Sequence, residues 1–368
     1  MYDIKKQPLY HYVRAKSFIA RHDMALALLC TIAVVLLGIL LGVRNDAMIA
    51  SRLGGHAHHS LANPLSIFAR WDGKDYLSIA HNGYKTLLDA GFFPLYPLLI
   101  RLLHYVIGSY LISALLISWF SLAGAIYFYI KIIKHLGLAN TKTNLVLAIA
   151  PFVLFPTAVF AIVTYTEGLF AMLALAGIYF AFKKRYLLTG VFLMLATLTH
   201  VTGALLIVLD VLLLLEGKVS LRKIAVTAVM GASGILMFMG YLFVRYHNAL
   251  EFLKSQTHIH GWLKANYHTL ISNTSYLNVF FVVLLLAAAV YYWNKRRSFA
   301  IYSLLFLLIP IVGAQWGGFN RYVFIAFPIP IMLYEIFKDK QAYVFVVMLT
   351  AIFWAYTLLQ YAAGYISS

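Results

Sequence analysis

The chain has 368 residues, of which 63% are hydrophobic and only 11% charged, with a formal net charge of +17. That is too little charge to cover one or two water-soluble domains of this length, so the bilayer is the expected solvent. A single cysteine, Cys30, excludes a disulfide framework and a cysteine-based metal site. The positive residues lie in small clusters beside apolar runs, which suits anionic lipid headgroups and argues against nucleic acid.

Residues 24–43 form an uncharged apolar run long enough to cross ~30 Å of hydrocarbon. A basic head with Lys5, Lys6, Arg14, Lys16 and Arg21 precedes it. A signal peptide has a shorter apolar core and a small-residue cleavage site, so this run reads as an uncleaved first span. A long outer loop, residues 44–109, follows. From Tyr76, the positions of Ile79, Ala80 and Gly83 at i+3, i+4 and i+7 predict a short helix lying on the membrane surface. Asp72 and Asp75 would share one of its faces. Residues 92–107, with Pro94, Pro97 and Arg101, are expected to form an interfacial or re-entrant helix, because a full crossing there would reverse the sidedness of every later loop. His56, His58 and His59 have a spacing that could hold a metal, yet with no second ligand cluster they read as a solvated loop, and no metal site is expected.

Further spans are expected at 110–130, 144–163, 168–182, 186–198, 201–215, 224–243, 276–293, 299–315, 322–337 and 342–361. The pair 186–198 and 201–215 is short, roughly 20 Å each, so the turn at Thr199 and His200 should sit below the outer surface, inside protein. A second outer loop, 247–275, places Ile259, Trp262 and Leu263 at i, i+3 and i+4, which predicts another interfacial helix with an aromatic anchor. Asp210, inside a span, should face the bundle interior and make a structural hydrogen bond. Pro94, Pro97, Pro328 and Pro330 should kink helices near the outer surface and open a lipid-accessible groove. The expected fold is an all-α polytopic membrane bundle of about eleven transmembrane helices, a single domain over residues 1–368 without repeats or a separate soluble domain. A cytoplasmic N-terminus puts most of the 29 Lys and Arg residues inside and most of the chemically capable polar residues outside.

Several segments carry a resemblance. The run RWDGKDYLSIAHNGY from Arg70, followed by FFPLYPLLIRLL, is similar to the GPI mannosyltransferase II (PIG-V) family of the GT-C glycosyltransferase class. YTEGLFAMLALAGIYFA from Tyr165, LATLTHVTGALL from Leu195, ALEFLKSQTHIHGW from Ala249 and NRYVFIAFPIPIML from Asn320 extend it, in the family's order, to about Leu333. The resemblance implies transfer of a hexose, typically mannose, from a polyprenyl-phosphate-linked sugar donor to a lipid or glycan acceptor hydroxyl on the non-cytoplasmic face. It implies inversion by single displacement and an acidic base in the first outer loop, here Asp72; no cofactor is expected to be required, and a divalent cation is left open.

A carboxylate in reach of an acceptor hydroxyl can take its proton as the C–O bond forms. Asp72 would also serve as a helix N-cap, and the two roles can coexist. Beside it, Arg70 and Trp71 are candidate substrate residues; the tryptophan offers a stacking face for a sugar or an ordinary headgroup anchor. Asp75 would position the acceptor, join a divalent cation, or pair with Lys74 or Arg70 at the surface. Glu167, beside Tyr165 at the outer start of a span, would hold sugar hydroxyls or orient an arginine, and the helix dipole also favours it there. Arg321 offers a planar fork to a departing carrier phosphate; its bland alternative is a snorkelling arginine. His200 departs from the family, whose members commonly carry arginine at this place; a histidine bears charge only when protonated, so its help to Arg321 would be weaker or pH-dependent, and a buried, neutral, hydrogen-bonded histidine is the equal alternative. Two other classes are weighed. A secondary transporter would place its ionisable residues near mid-membrane in repeat-related broken helices. A catalytically degenerate scaffold would keep the fold and lose the chemistry.

Overall fold

The computed structural model describes residues 22–43, 64–139, 141–260, 276–309, 318–339 and 341–364; among these there is helix, turn and loop but no strand. The helices, in chain order, are α1 (His22–Val43), α2 (Asp72–Asn82), α3 (Leu95–Ile107), α4 (Tyr110–His135), α5 (Lys142–Val153), α6 (Glu167–Phe182), α7 (Tyr186–Thr199) and α8 (Gly203–Glu216). They continue with α9 (Leu221–Tyr246), α10 (Glu251–His260), α11 (Tyr276–Tyr292), α12 (Arg297–Phe306), α13 (Phe319–Tyr322), α14 (Pro328–Phe337) and α15 (Ala342–Ala363). Of these, α1, α4, α9 and α15 are long and apolar enough to cross a membrane; seven others are shorter apolar helices. Large side chains such as Leu29, Leu36, Val229, Val244, Phe345 and Ile352 are exposed on the long helices. An apolar face of that kind is stable in hydrocarbon and costly in water.

Polar contacts sew one end of the bundle. Lys131 and Lys134, near the end of α4, both pair with the buried Asp23 at the start of α1, Lys131 at 2.8 Å. Glu216, ending α8, accepts from the Ser298 N–H at 2.9 Å and its hydroxyl at 3.0 Å. Tyr292 donates to Glu335 at 2.7 Å, joining α11 to α14. The opposite end holds the candidate site.

The helix expected around Tyr76 is present as α2, with Tyr76, Ile79 and Ala80 buried. Arg101 of α3 holds its C-terminus: Nε donates to the Ala80 carbonyl at 2.6 Å and a terminal nitrogen to the His81 carbonyl at 3.2 Å. A guanidinium at that pole also meets the negative end of the helix dipole. Gly108, with φ of 77°, ends α3, and the Ser109 side chain accepts from the Ile112 N–H to cap α4. The chain therefore turns back on itself, and α3 packs against α2 and the start of α4.

Three expected spans are broken. In the run 144–163, α5 stops at Val153 and a short 3-10 helix, Pro156–Ala161, takes over. The cause is Pro156, which forces Phe155 into an extended conformation with ψ of 138°. In 322–337, α13 and a 3-10 turn at Val323–Ile325 precede α14, which opens at Pro328, a residue with no N–H to continue a ladder. In 299–315, α12 ends at Phe306, and residues 310–317 lie outside the described residues. So do Trp262 and Leu263, whereas Ile259 falls within α10. The His56, His58 and His59 loop lies outside them as well. Asp210 faces the interior as expected, but neither carboxyl oxygen has a hydrogen-bond partner. It rests against Gly177, where a Cβ would lie 2.9 Å from Oδ2.

The segment before α2 is tied to the one that precedes α6. The Phe68 carbonyl accepts from the N–H and hydroxyl of Thr164, both at 3.0 Å, and from Tyr361 of α15 at 3.1 Å. Gly73 lets α2 close on that segment, because a Cβ there would sit 2.2 Å from Thr164 Oγ1. Gly73→Ala is accordingly expected to destabilise the protein by about 1–3 kcal/mol through overpacking. Pairing it with Thr164→Ala, which removes the clashing oxygen, should return part of the loss in a detergent thermal melt.

Candidate active site

Two helix starts and one short helix build the site. Trp71, immediately before α2, has φ of 43° and ψ of −123°, a strained conformation for a non-glycine residue. It is held there by the bonds from the Gly73 N–H to the Arg70 carbonyl and from the Lys74 N–H to its own, at 2.8 and 2.7 Å. Its ring meets Tyr361 edge-on at 5.5 Å. This turn presents Asp72 as the first residue of α2 and buries it. The N-cap position itself belongs to Trp71, with no side-chain cap, so the expected capping role of Asp72 is not the one adopted. Glu167 is likewise the first residue of α6 and buried. Both carboxylates thus sit at the positive poles of helix dipoles.

Arg321 of α13 lies between them. One terminal nitrogen donates to Asp72 Oδ2 at 2.6 Å, and Nε stands 3.4 Å from Glu167 Oε1 without the alignment of a hydrogen bond. The other terminal nitrogen reaches the Tyr322 hydroxyl at 3.4 Å. The guanidinium also lies over the rings of Tyr165 and Tyr322, at 5.2 and 5.3 Å. Such a cluster, two buried carboxylates on one guanidinium, keeps an ionic site dry only while all three remain together.

His200 joins the cluster from the turn between α7 and α8. Its ring meets Tyr322 at 4.6 Å and Phe170 at 5.4 Å. Its Nδ1 accepts the Thr202 N–H at 3.2 Å and contacts the Thr202 hydroxyl at 2.8 Å. A nitrogen that accepts an N–H carries no proton, so the ring is neutral with its hydrogen on Nε2. Of the two readings weighed for His200, this geometry matches the buried, neutral, hydrogen-bonded histidine.

The remaining expected residues are placed on the margin. Tyr165 is buried, stacked on Phe160 at 5.5 Å, with its hydroxyl unpartnered. Arg70 donates its N–H to the Tyr361 hydroxyl at 3.2 Å, and its guanidinium lies near Gly364 at the end of α15. Asp75 does not share the environment of Asp72: it points outward, with its carboxyl only partly covered. Partial burial first, then the negative Asp72 and Asp89, push its carboxyl up to about 6 against the opposing Lys74. The folded protein therefore binds more protons than the unfolded chain between about pH 4 and 6, and stability falls as pH rises through that window. Asp75→Asn should flatten this part of the profile and raise the melting temperature at pH 7.5 but not at pH 4; an unchanged difference between the two pH values would refute it.

A small cavity of about 20 Å³ is lined by Asp72, Tyr76, Phe92, Phe93, His200, Gln256, Arg321 and Tyr322, among others. A second void behind it shares Glu167, Phe170, His200, Arg321 and Tyr322. On the flank lies an open apolar groove of about 380 Å³, between Leu98 and Arg101 on one side and Leu198, Met237 and Tyr241 on the other. Phe93 lines the polar cavity and packs at 4.9 Å on Phe238, which lines the groove. Pro94 and Pro97 line it too, near where kinking prolines were expected to open one; Pro328 and Pro330 do not. Tyr76, Gln256 and Tyr322 escaped the sequence reading. Tyr76 sits one helical turn after Asp72 and Tyr322 beside Arg321, so adjacency was the available signal; Gln256 offered none.

Among the described residues the fold is a helical bundle with four helices long and apolar enough to cross a membrane, and one end of it holds a buried acid–arginine–acid cluster. The family follows from the sequence: the signature of the mannosyltransferase (PIG-V) family matches residues 49–305, well over half of the chain, and the chain belongs to that family. It is therefore a membrane glycosyltransferase. The match includes Asp72, Glu167, His200 and Gln256 and stops before Arg321 and Tyr322, which the fold alone brings to the site. No individual characterised protein matches closely enough to be named beside it.

Proposed function

We propose that the enzyme transfers mannose from a polyprenyl-phosphate donor to a hydroxyl of a lipid or glycan acceptor on the non-cytoplasmic face, with inversion. The observation that carries this reading is the buried contact of Asp72 with Arg321, which joins a proton acceptor to a phosphate-binding group in one cavity. Asp72 is the general base. Arg321 supplies its counter-charge at rest, and its Nε–H, which makes no hydrogen bond, is a donor available to a phosphate oxygen. Phosphate arriving on the guanidinium draws it from Asp72, frees a carboxylate lone pair for the acceptor hydroxyl, and leaves Arg321 to stabilise the departing phosphate. His200 assists through Nε2–H, as a neutral donor. Glu167 keeps the guanidinium oriented while this exchange occurs. No step here requires a metal.

The sugar moves from carrier to acceptor in one displacement: the acceptor oxygen bonds to the anomeric carbon as the bond to the phosphate oxygen breaks, and the acceptor proton passes to Asp72. The flank groove, one aromatic layer from the cavity, suits the lipid chain of the donor. A cavity with room for about one water cannot hold a hexose, so the wall formed by Phe92, Phe93 and α10 moves outward to admit it.

The test is transfer by purified protein in vesicles, with polyprenyl-phosphate mannose and extracted lipid acceptors. A product of opposite anomeric configuration is expected. A retained configuration, or transfer from a nucleotide sugar instead, would overturn the reading. Single cysteines at the exposed positions 74 and 254, on the two elements flanking the cavity, in a Cys30→Ser background should label from the same, outer side.

A further inference from the structure

One wall of the cavity beside Asp72 is formed by the second outer loop. There α10 is fastened to the turn at Leu88–Gly91. The Ser255 hydroxyl donates to the Leu88 carbonyl at 2.7 Å, and the Gln256 amide nitrogen donates to the Gly91 carbonyl at 2.8 Å. Because a carbonyl can only accept, the amide atom facing Gly91 is the nitrogen, and the orientation of the group is determined. Its oxygen, Oε1, is buried without a hydrogen-bond partner, and Gln256 lines the same cavity as Asp72, His200 and Arg321. A buried amide oxygen held in place and left without a donor is an unfilled binding position.

We propose that Gln256 is a sugar-recognition residue, whose amide oxygen accepts a hydrogen bond from one hydroxyl of the transferred hexose. The proposal rests on the donor assignment made above. An acceptor-only atom excludes a phosphate oxygen as its partner and selects a hydroxyl. Asp72 is committed to the acceptor hydroxyl and Arg321 to the phosphate, so a hexose ring between them turns its own hydroxyls to the remaining wall, where Gln256 lies. The tether to Gly91 sets the reach of the oxygen, and loss of one methylene would withdraw it.

The experiment compares kcat/KM for polyprenyl-phosphate mannose and its monodeoxy analogues in the wild type and in Gln256→Met, which keeps the volume and removes the amide. The wild type should reject one monodeoxy donor by about 10–100-fold, the range for losing one buried hydrogen bond. In Gln256→Met that ratio should fall to within about threefold of unity through a loss on the parent sugar, while the ranking of the other analogues stays. Gln256→Asn, read the same way, serves if the methionine variant fails to fold. An unchanged ratio in a folded variant overturns the proposal. So does a loss confined to the acceptor KM, which would move the amide to the acceptor. Failure of the wild type to use any polyprenyl-phosphate sugar would instead strike the donor assignment itself, and needs no variant to be seen.

Discussion

Asp72→Asn should lower sugar transfer by about 10²–10⁴-fold, the range for a positioned general base. The asparagine is nearly isosteric, and its side-chain oxygen can still accept from Arg321, so the 2.6 Å contact that positions α13 against α2 survives in weakened form. Donor affinity and melting temperature should therefore change little beside the loss in kcat. That division separates chemistry from architecture, because a purely structural Asp72 would lower stability and turnover together. Turnover equal to wild type with the native acceptor would remove the proposed base.

The second large effect is structural in origin. Arg321→Met withdraws the guanidinium that contacts both Asp72 and Glu167, leaving two buried carboxylates facing each other. Breaking a buried ion pair from one side costs about 3–5 kcal/mol, a large part of the ~5–15 kcal/mol by which proteins are stable. Loss of folded protein in detergent is expected. Adding Glu167→Gln should restore part of it, since one of the two uncompensated charges is gone. Arg321→Lys retains a charge and should recover most of the stability. It lacks the planar fork, so donor affinity should remain weakened by about tenfold. A lysine variant with normal donor affinity would confine Arg321 to a structural role.

Local pattern was legible along the chain. The apolar runs announced the helices, the spacing after Tyr76 announced α2, and the acids at the starts of α2 and α6 were visible as Asp72 and Glu167. The breaks after Val153 and before Pro328 were less so, although prolines marked both places. Hydropathy averages over a window and passes across a single residue that cannot continue a helix. These breaks matter to the site, because the stretch 154–166 brings Thr164 to the segment before α2, and α13 exists only because its helix does not continue into α14.

By itself the sequence determined the solvent, the helical class, the family resemblance and the end of the bundle where chemistry was to be sought, since each depends on composition, short-range spacing or local motifs. Only the tertiary structure decided which polar groups meet. Asp72 and Arg321 are 249 residues apart, and no periodicity encodes their contact. Asp72 and Asp75 are three residues apart on one helix, yet one is buried against a guanidinium and the other faces outward. Packing makes that difference: removing an ion from water is tolerable only where an opposite charge has already been brought to it, and that charge arrives from a distant helix.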